Sequence, residues 1–343
     1  MLRCLKNHLM SFSPLLAPLA FLLALISNGT TLAADDQCAL KQMLILQMEK
    51  LPSGRVTVPL VLNGHPKRFL LDLGGNLLSI SSRVAEELAI KRKESGLVLY
   101  RAGKNAGRLD YVTINSVILG QSRLPDDMQF LVIPESSADD RDTEEANTHK
   151  YAAESASYDG VFRPGIFSQN ADVDLDFGSN RLALFSNDHC EGQVVYWQAS
   201  EIAVVPFNLT EENRIVIPVK LDGLTFQAML DTGSWDTRLD QNAAKFDLNV
   251  DLNAPNLETV REVGFGKFIY QRKFSELSFE GVTIRNPLIS LWPDFAPKEF
   301  LPGSHIKDSL WESPTMLIGM NVLTNLHVYI AFEERKLYIT AAQ

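Results

Sequence analysis

The sequence predicts an all-β protein built as two similar lobes in tandem, related by an approximate twofold. Three observations carry that expectation. A stretch of the chain occurs twice, both copies carry strand signals with a period of two, and both end in an acidic turn at the same place. Arg55 to Asp72 aligns without a gap with Arg214 to Asp231, matching Arg, two β-branched residues, Pro, an apolar residue, Leu, Asn or Asp, Gly, an apolar pair and Asp. At the same displacement Gly107 and Tyr111 recur as Gly266 and Tyr270, and the stretch from Val173 recurs, slightly shifted, from Val328. Ordered matches at the start, middle and end of each half read as a tandem duplication.

Each element can be justified in chain order. Residues 1–34 read as a secretory signal, because Arg3, Lys6 and His8 precede an apolar run from Leu15 to Ile26 and a small-residue exit at Ala33 and Ala34. That run is short of the ~20 apolar residues a spanning helix needs, although an uncleaved anchor is the alternative. The first lobe is expected over 35–190. Val56 to Leu60 alternates in β-branched and apolar residues, Asn63-Gly64 is a hairpin turn, and Phe69-Leu70-Leu71 is a second apolar strand. A short helix is expected from Ser82 to Leu88. Residues 136–157 hold six acids against Arg141 and Lys150, with little apolar surface to offset ordering entropy, and are expected to form a solvated or disordered insert. An acidic partner-binding or autoprocessing loop is the functional alternative. Residues 191–200 read as linker. The second lobe, 201–343, repeats the pattern with Ile215 to Val219, the turn Asp222-Gly223, the run Ala228-Met229-Leu230 and a helix from Gln241 to Phe246.

Composition excludes several function classes. The 343 residues carry 32 Lys and Arg against 42 Asp and Glu, a net charge of -10, and the leader would remove only basic residues. Nucleic acid is not an expected partner, since affinity for phosphate backbones comes from Lys and Arg displacing counterions. The six His are scattered and none of the three Cys has zinc-site spacing, so no metal is expected. No GxSxG points to a serine hydrolase. Cys4 leaves with the leader, and in an oxidising compartment Cys38 and Cys190 either bridge or remain as two thiols.

The chemistry concentrates in the two acidic turns. Met229-Leu230-Asp231-Thr232-Gly233-Ser234 puts a carboxylate directly after two core residues, and Leu70-Leu71-Asp72-Leu73-Gly74-Gly75 puts another at the equivalent place. A duplicated lobe packed about a twofold can bring such turns face to face. On these residues, and on Leu317-Ile318-Gly319 further along, the sequence resembles the pepsin/retropepsin-type aspartic proteases, in the bacterial exported form with two retropepsin-like lobes in one chain. The resemblance implies a catalytic pair of Asp72 and Asp231, with Thr232, Gly233, Ser234, Gly74 and Gly319 supporting the turns. It also implies flap hairpins, whose tips by position involve Gly103, Gly107, Gly264 and Gly266. The implied substrate is an extended peptide or protein, without cofactor. One chain supplies both lobes, so a monomer is expected, exported to the periplasm or the medium.

Two positions depart from the family pattern. Leu73 stands where the family has a hydroxyl residue, and Arg163, in Val161-Phe162-Arg163, stands where it has Gly. A fixed positive charge against the carboxylates would favour ionising both and oppose a shared proton. Two functions therefore follow from the sequence, an aspartic endopeptidase and a non-catalytic peptide-binding protein on the same fold.

Overall fold

The computed structural model describes residues 38–75, 77–101, 104–134, 154, 157–254, 257–263, 266–293 and 314–342. Among them two ten-stranded sheets have the same strand order. In the first, 93–101, 104–114, 128–133, 79–81, 160–162, 65–71, 56–62, 117–119 and 122–123 follow one another, and 49–50 pairs with 56–62 off this path. In the second the order is 258–262, 268–273, 288–292, 238–240, 316–318, 224–230, 215–221, 276–279 and 282–285, with 208–209 on 215–221. The sequence repeat is thus matched strand for strand.

The expected hairpins form because their turns demand it. Asn63 and Gly64 have φ of 48° and 88°, and Asp222 and Gly223 have 48° and 87°. Both central residues are left-handed, the geometry that joins two twisted strands by two residues. The strands they connect, Val56–Leu62 to His65–Leu71 and Ile215–Leu221 to Leu224–Leu230, pair in the same register. The short helices start where a side chain caps them: Ser81 accepts from the Val84 amide before Ser82–Glu87, and Asp240 from the Asn242 and Ala243 amides before Gln241–Phe246. Beyond each hairpin a parallel strand returns alongside, Gly160–Phe162 on Phe69–Leu71 and Met316–Ile318 on Ala228–Leu230. These parallel pairs carry the chain past the end of the apolar runs, where the acidic turns sit.

A six-stranded sheet joins the lobes, in the order 42–47, 181–185, 172–176, 326–331, 336–341, 203–206. At its centre equivalent strands of the two halves pair antiparallel, Val173 against Ile330 and Leu175 against Val328. One face packs on an apolar core that runs through both lobes. The other face carries Asp172, Asp174 and Asp176, all buried. The segment expected to be a plain linker covers them. Val194 is fully buried, and Trp197 stacks on His327 with centroids 3.9 Å apart. Asp174 takes hydrogen bonds from Tyr196 Oη at 2.5 Å and, on its other oxygen, pairs with His327 Nε2 at 2.7 Å. Asp172 pairs with His189 Nε2 at 2.6 Å and accepts from the Phe332 amide at 2.9 Å. Beside His189, Cys190 is disulfide-bonded to Cys38. Asp176 accepts from the Gly178 and Ser179 amides at 3.0 and 3.2 Å, so each buried carboxylate is partnered, which is the condition for its staying buried at tolerable cost.

The acidic stretch needs a correction at its far end. Glu154, counted among the solvated acids of 136–157, is 6% exposed and hydrogen-bonded to Ser53 and Arg55. Residues 135–153 lie outside the described residues.

Burial opposes a charge on His189, but its hydrogen bonds to Asp172 and to the Cys190 carbonyl outweigh that and raise its pKa above the ordinary 6.5. A raised histidine stabilises the fold fully below its unfolded pKa, and the contribution fades as pH rises through the folded one. His189→Ala is therefore expected to cost about 1–3 kcal/mol in urea unfolding below pH ~6 and less at higher pH. A difference from wild type that stays flat between pH 5 and 9 would refute this account of the covering segment.

Candidate active site

The two acidic turns meet at the lobe boundary. Each follows an apolar strand whose last amide is held by the parallel strand: the Asp72 amide donates to the Phe162 carbonyl at 2.9 Å, and the Asp231 amide to the Ile318 carbonyl at 3.0 Å. Equivalent backbone thus fixes equivalent carboxyls. The glycines show how closely they face. A Cβ on Gly74 would lie 2.4 Å from the Asp231 Cγ, and a Cβ on Gly233 would lie 2.6 Å from the Asp72 Cγ. Each carboxyl rests on the other lobe's glycine, so any side chain there would displace it. Gly75 is in the same position against its own lobe's acid, 2.7 Å from Asp72 Oδ2.

Amide hydrogen bonds orient both groups. Asp72 Oδ1 accepts from the Gly75 amide at 2.7 Å, and Asp231 Oδ1 from the amides of Gly233 and Ser234 at 2.8 and 3.2 Å. Burial pushes the Asp72 pKa up, to about 8, and the Asp231 charge and a hydrogen bond shared with Asp231 push the same way, against the Gly75 and Gly74 amides. Two carboxyls in such contact hold one proton between them and titrate as a unit.

The brace beneath the turns is one-sided. The Thr232 hydroxyl accepts from the Leu73 amide at 3.0 Å and donates to the Leu71 carbonyl at 2.7 Å, clasping the first-lobe turn from the second lobe. Leu73 is buried and has no hydroxyl to return the contact. The second-lobe turn receives a different contact, from Arg55 Nη1 to the Gly233 carbonyl at 3.4 Å. Arg55 was visible in the sequence only as the first residue of the repeat, and its role could not be read from that position.

Gly319 is dictated by close packing. A Cβ there would lie 2.2 Å from the Asp236 carbonyl oxygen, and the Gly319 amide donates to Thr237 Oγ1 at 3.2 Å. Asp236 is buried, held by Ser234 Oγ and by Arg238 Nε at 3.1 and 2.8 Å, and the Arg238 guanidinium lies 4.0 Å from the Trp292 ring centre. Sequence reading missed this Asp236, Thr237, Arg238 support.

Arg163 occupies the place of Gly319 in the first lobe, since Phe162 pairs with Leu71 as Ile318 pairs with Leu230. The side chain acts on Asp72 through its charge, but burial and Asp231 outweigh that pull toward the ionised form. Its Nη2 donates to the Glu212 carbonyl of the second lobe, and the Asp72 pKa is raised, not lowered. Leu77, the equivalent of the buried Asp236, is 44% exposed.

Of the flap residues, Gly103 and Gly264 lie outside the described residues. Gly107 pairs with Leu99 in the hairpin of 93–101 and 104–114. Gly266, at φ 70°, turns the hairpin of 258–262 and 268–273, its amide donating to Glu262 Oε1 at 2.9 Å. Among the described residues no group of His, Cys, Asp and Glu could hold a metal ion, and no helix is long and apolar enough to cross a membrane.

The family model described as aspartyl protease matches residues 58–147, which include Asp72. No curated protein matches the chain. Among solved structures, a retropepsin-like aspartic protease from Rickettsia conorii matches at 16% identity and a TM-score of 0.28, covering 42% of this chain and 94% of that one. Basic 7S globulin from soybean matches at 10% identity and a TM-score of 0.43, covering 89% of this chain and 96% of that one. The family-model match thus lies within the first lobe.

A raised carboxyl pKa has a cost that depends on pH. Asp72 stabilises the fold relative to its unfolded form while protonated, and that contribution is lost as pH rises from the unfolded value of ~3.9 through the raised folded one. Asp72→Asn, which cannot ionise, is expected to gain stability over wild type as pH climbs across that window in a thermal-shift series. A constant offset across the series would show that the two carboxyls do not compete for a proton.

Proposed function

We propose that the chain, whose first lobe matches the aspartyl protease family, is an aspartic endopeptidase using Asp72 and Asp231. The observation that supports this reading is the contact of the two carboxyls across the lobe boundary, each seated on the other lobe's glycine, with the Asp72 proton held far above the usual carboxylate range. In that state one member accepts a proton from an attacking water while the other hydrogen-bonds the scissile carbonyl. General base and general acid then stand on opposite sides of one bond. As the tetrahedral intermediate collapses, the proton passes to the leaving amine and the pair returns to its singly protonated form. The Gly233, Ser234 and Gly75 amides keep the carboxyls from rotating out of line during the exchange.

The substrate class in this reading is an extended peptide. The hairpins of 93–114 and 258–273 stand at corresponding ends of the two sheets, each with an edge strand able to pair with an extended chain. Export, with residues 1–34 as a leader, and action as a monomer belong to the same proposal. Peptide binding without hydrolysis is the second reading, favoured by Leu73, which leaves one turn without its hydroxyl.

The test is cleavage of a peptide library by the purified chain between pH 3 and 10. Asp72→Asn and Asp231→Asn are each expected to lower kcat by about 10³-fold or more, the scale of losing a general acid–base group together with its electrostatic partner. The alkaline limb of the wild-type profile is expected well above the range of an isolated carboxyl, since activity lasts until the shared proton is lost. Saturable peptide binding with no cleavage at any pH would overturn the endopeptidase in favour of the second reading.

A further inference from the structure

We propose that Glu154 is a positioning residue for the second-lobe aspartate turn, holding Arg55 so that its guanidinium meets the Gly233 carbonyl across the lobe boundary. Its consequence for turnover rests on the peptidase reading above, whereas its geometry does not.

The cluster is built from the first lobe. Arg55 Nε donates to Ser53 Oγ at 3.1 Å, Nη2 to Glu154 Oε2 at 2.8 Å and Nη1 to the Gly233 carbonyl at 3.4 Å. Glu154 in turn accepts from the Ser53 amide at 2.7 Å and from Ser53 Oγ at 2.6 Å. The Tyr158 ring lies 6.0 Å from the guanidinium. Side-chain exposures of 12% for Arg55 and 7% for Glu154 put the pair out of reach of most solvent screening. A buried pair of this kind is a weak stabiliser at best, because desolvating two charges offsets their attraction. Its value lies in fixing a direction, since a planar guanidinium held at two corners has little freedom at the third.

The asymmetry between the lobes says why the pair stands here. The first-lobe turn is clasped by the Thr232 hydroxyl, which bonds both the Leu73 amide and the Leu71 carbonyl. The second-lobe turn has no matching clasp, because Leu73 stands where the hydroxyl would be, and it is this turn that Arg55 reaches. Among the described residues the equivalent arginine, Arg214, has no hydrogen-bonded carboxylate: its buried Nε lacks a hydrogen-bond partner, and the Glu212 carboxylate acts on it through charge alone, beside Arg163. Among the described residues, a carboxylate hydrogen-bonded to the arginine stands on the side where the opposite turn lacks its brace. The Tyr158 hydroxyl feels the charges of both Arg55 and Asp72, which places the cluster within electrostatic range of the carboxyl pair.

The experiment uses the full chain carrying Glu154→Gln, with Arg55→Lys as a second variant that keeps the charge and loses the fork. Three quantities are read: unfolding in urea, kcat and KM on a cleaved peptide, and the titration of the aspartate carboxyls by carbon-13 NMR. Glu154→Gln is expected to lower kcat about tenfold with KM little changed, since misplacement by a fraction of an ångström suffices for that. It is also expected to move the alkaline titration of the pair to lower pH, because the Arg55 charge is then uncompensated and favours the ionised form. Adding Leu73→Thr to Glu154→Gln is expected to restore part of kcat by supplying the absent hydroxyl. Loss of stability in both variants with kcat and the carboxyl titration unchanged would overturn the proposal and leave an ordinary structural pair. If the wild type cleaves nothing, the peptidase reading falls by itself and the titration alone decides: a shift supports the positioning role, and its absence refutes it.

Discussion

The rest of the structure depends on two half-buried carboxyl groups being pressed together across the lobe boundary. Such a contact is unfavourable in itself when both are ionised, and nothing local to either turn would maintain it. It persists because the turns are the ends of strands whose positions are set elsewhere. Each aspartate amide is tied to a parallel strand, each parallel strand to a sheet of ten, and the two sheets to one six-stranded sheet whose central strands come from both halves. Separating the carboxyls would mean breaking the Val173–Ile330 and Leu175–Val328 pairing or unstacking a lobe. The unfavourable interaction at the boundary is thus offset by burial that lies well away from it, the usual arrangement for a strained functional site.

Twofold repetition explains the pair but not the support around it. The two lobes differ at the residues that support the paired turns. The Thr232 hydroxyl serves the first-lobe turn twice over, and Leu73, at the equivalent place, is a buried apolar side chain. The Asp236 carbonyl demands glycine at 319 and the Asp236 side chain is buried, while its counterpart Leu77 is exposed.

Much of this was legible in the sequence. The repeat from Arg55 and Arg214, the Asn-Gly and Asp-Gly turns and the two short helices are local patterns, and each appears where its own residues dictate. The pairing of Asp72 with Asp231 followed from symmetry, because equivalent points of a duplicated fold can face each other. What could not be read was contact between residues distant in sequence and unlike in the two copies. Glu154 looked like one more acid in a solvated stretch, since composition says nothing of the Ser53 and Arg55 donors awaiting it. Arg163 looked like a threat to the carboxyl pair, because the alignment fixed its backbone correctly but not the Glu212 carbonyl that draws its side chain away. The segment after Cys190 read as linker for a similar reason: Val194, Tyr196 and Trp197 have no strand pattern, and their partners lie on strands from both lobes.

That covering segment bears on how rigid the boundary is. Asp-Val-Asp-Leu-Asp-Phe places its apolar residues on one face and Asp172, Asp174 and Asp176 on the other, the alternation of a strand with a wet side. In a single lobe that side would face water. Here it is closed by residues 189–197, so the charges need partners, and His189, His327 and Tyr196 supply them from the segment and from the second half. Polar contacts of this kind tolerate far less sliding than apolar ones, because a shift of one residue would leave a carboxylate buried and unpaired. An apolar cover would have stabilised the sheet as well but would have allowed the halves to slip in register. The buried acids are therefore best understood as fixing the registration of the two lobes, on which the alignment of Asp72 with Asp231 depends.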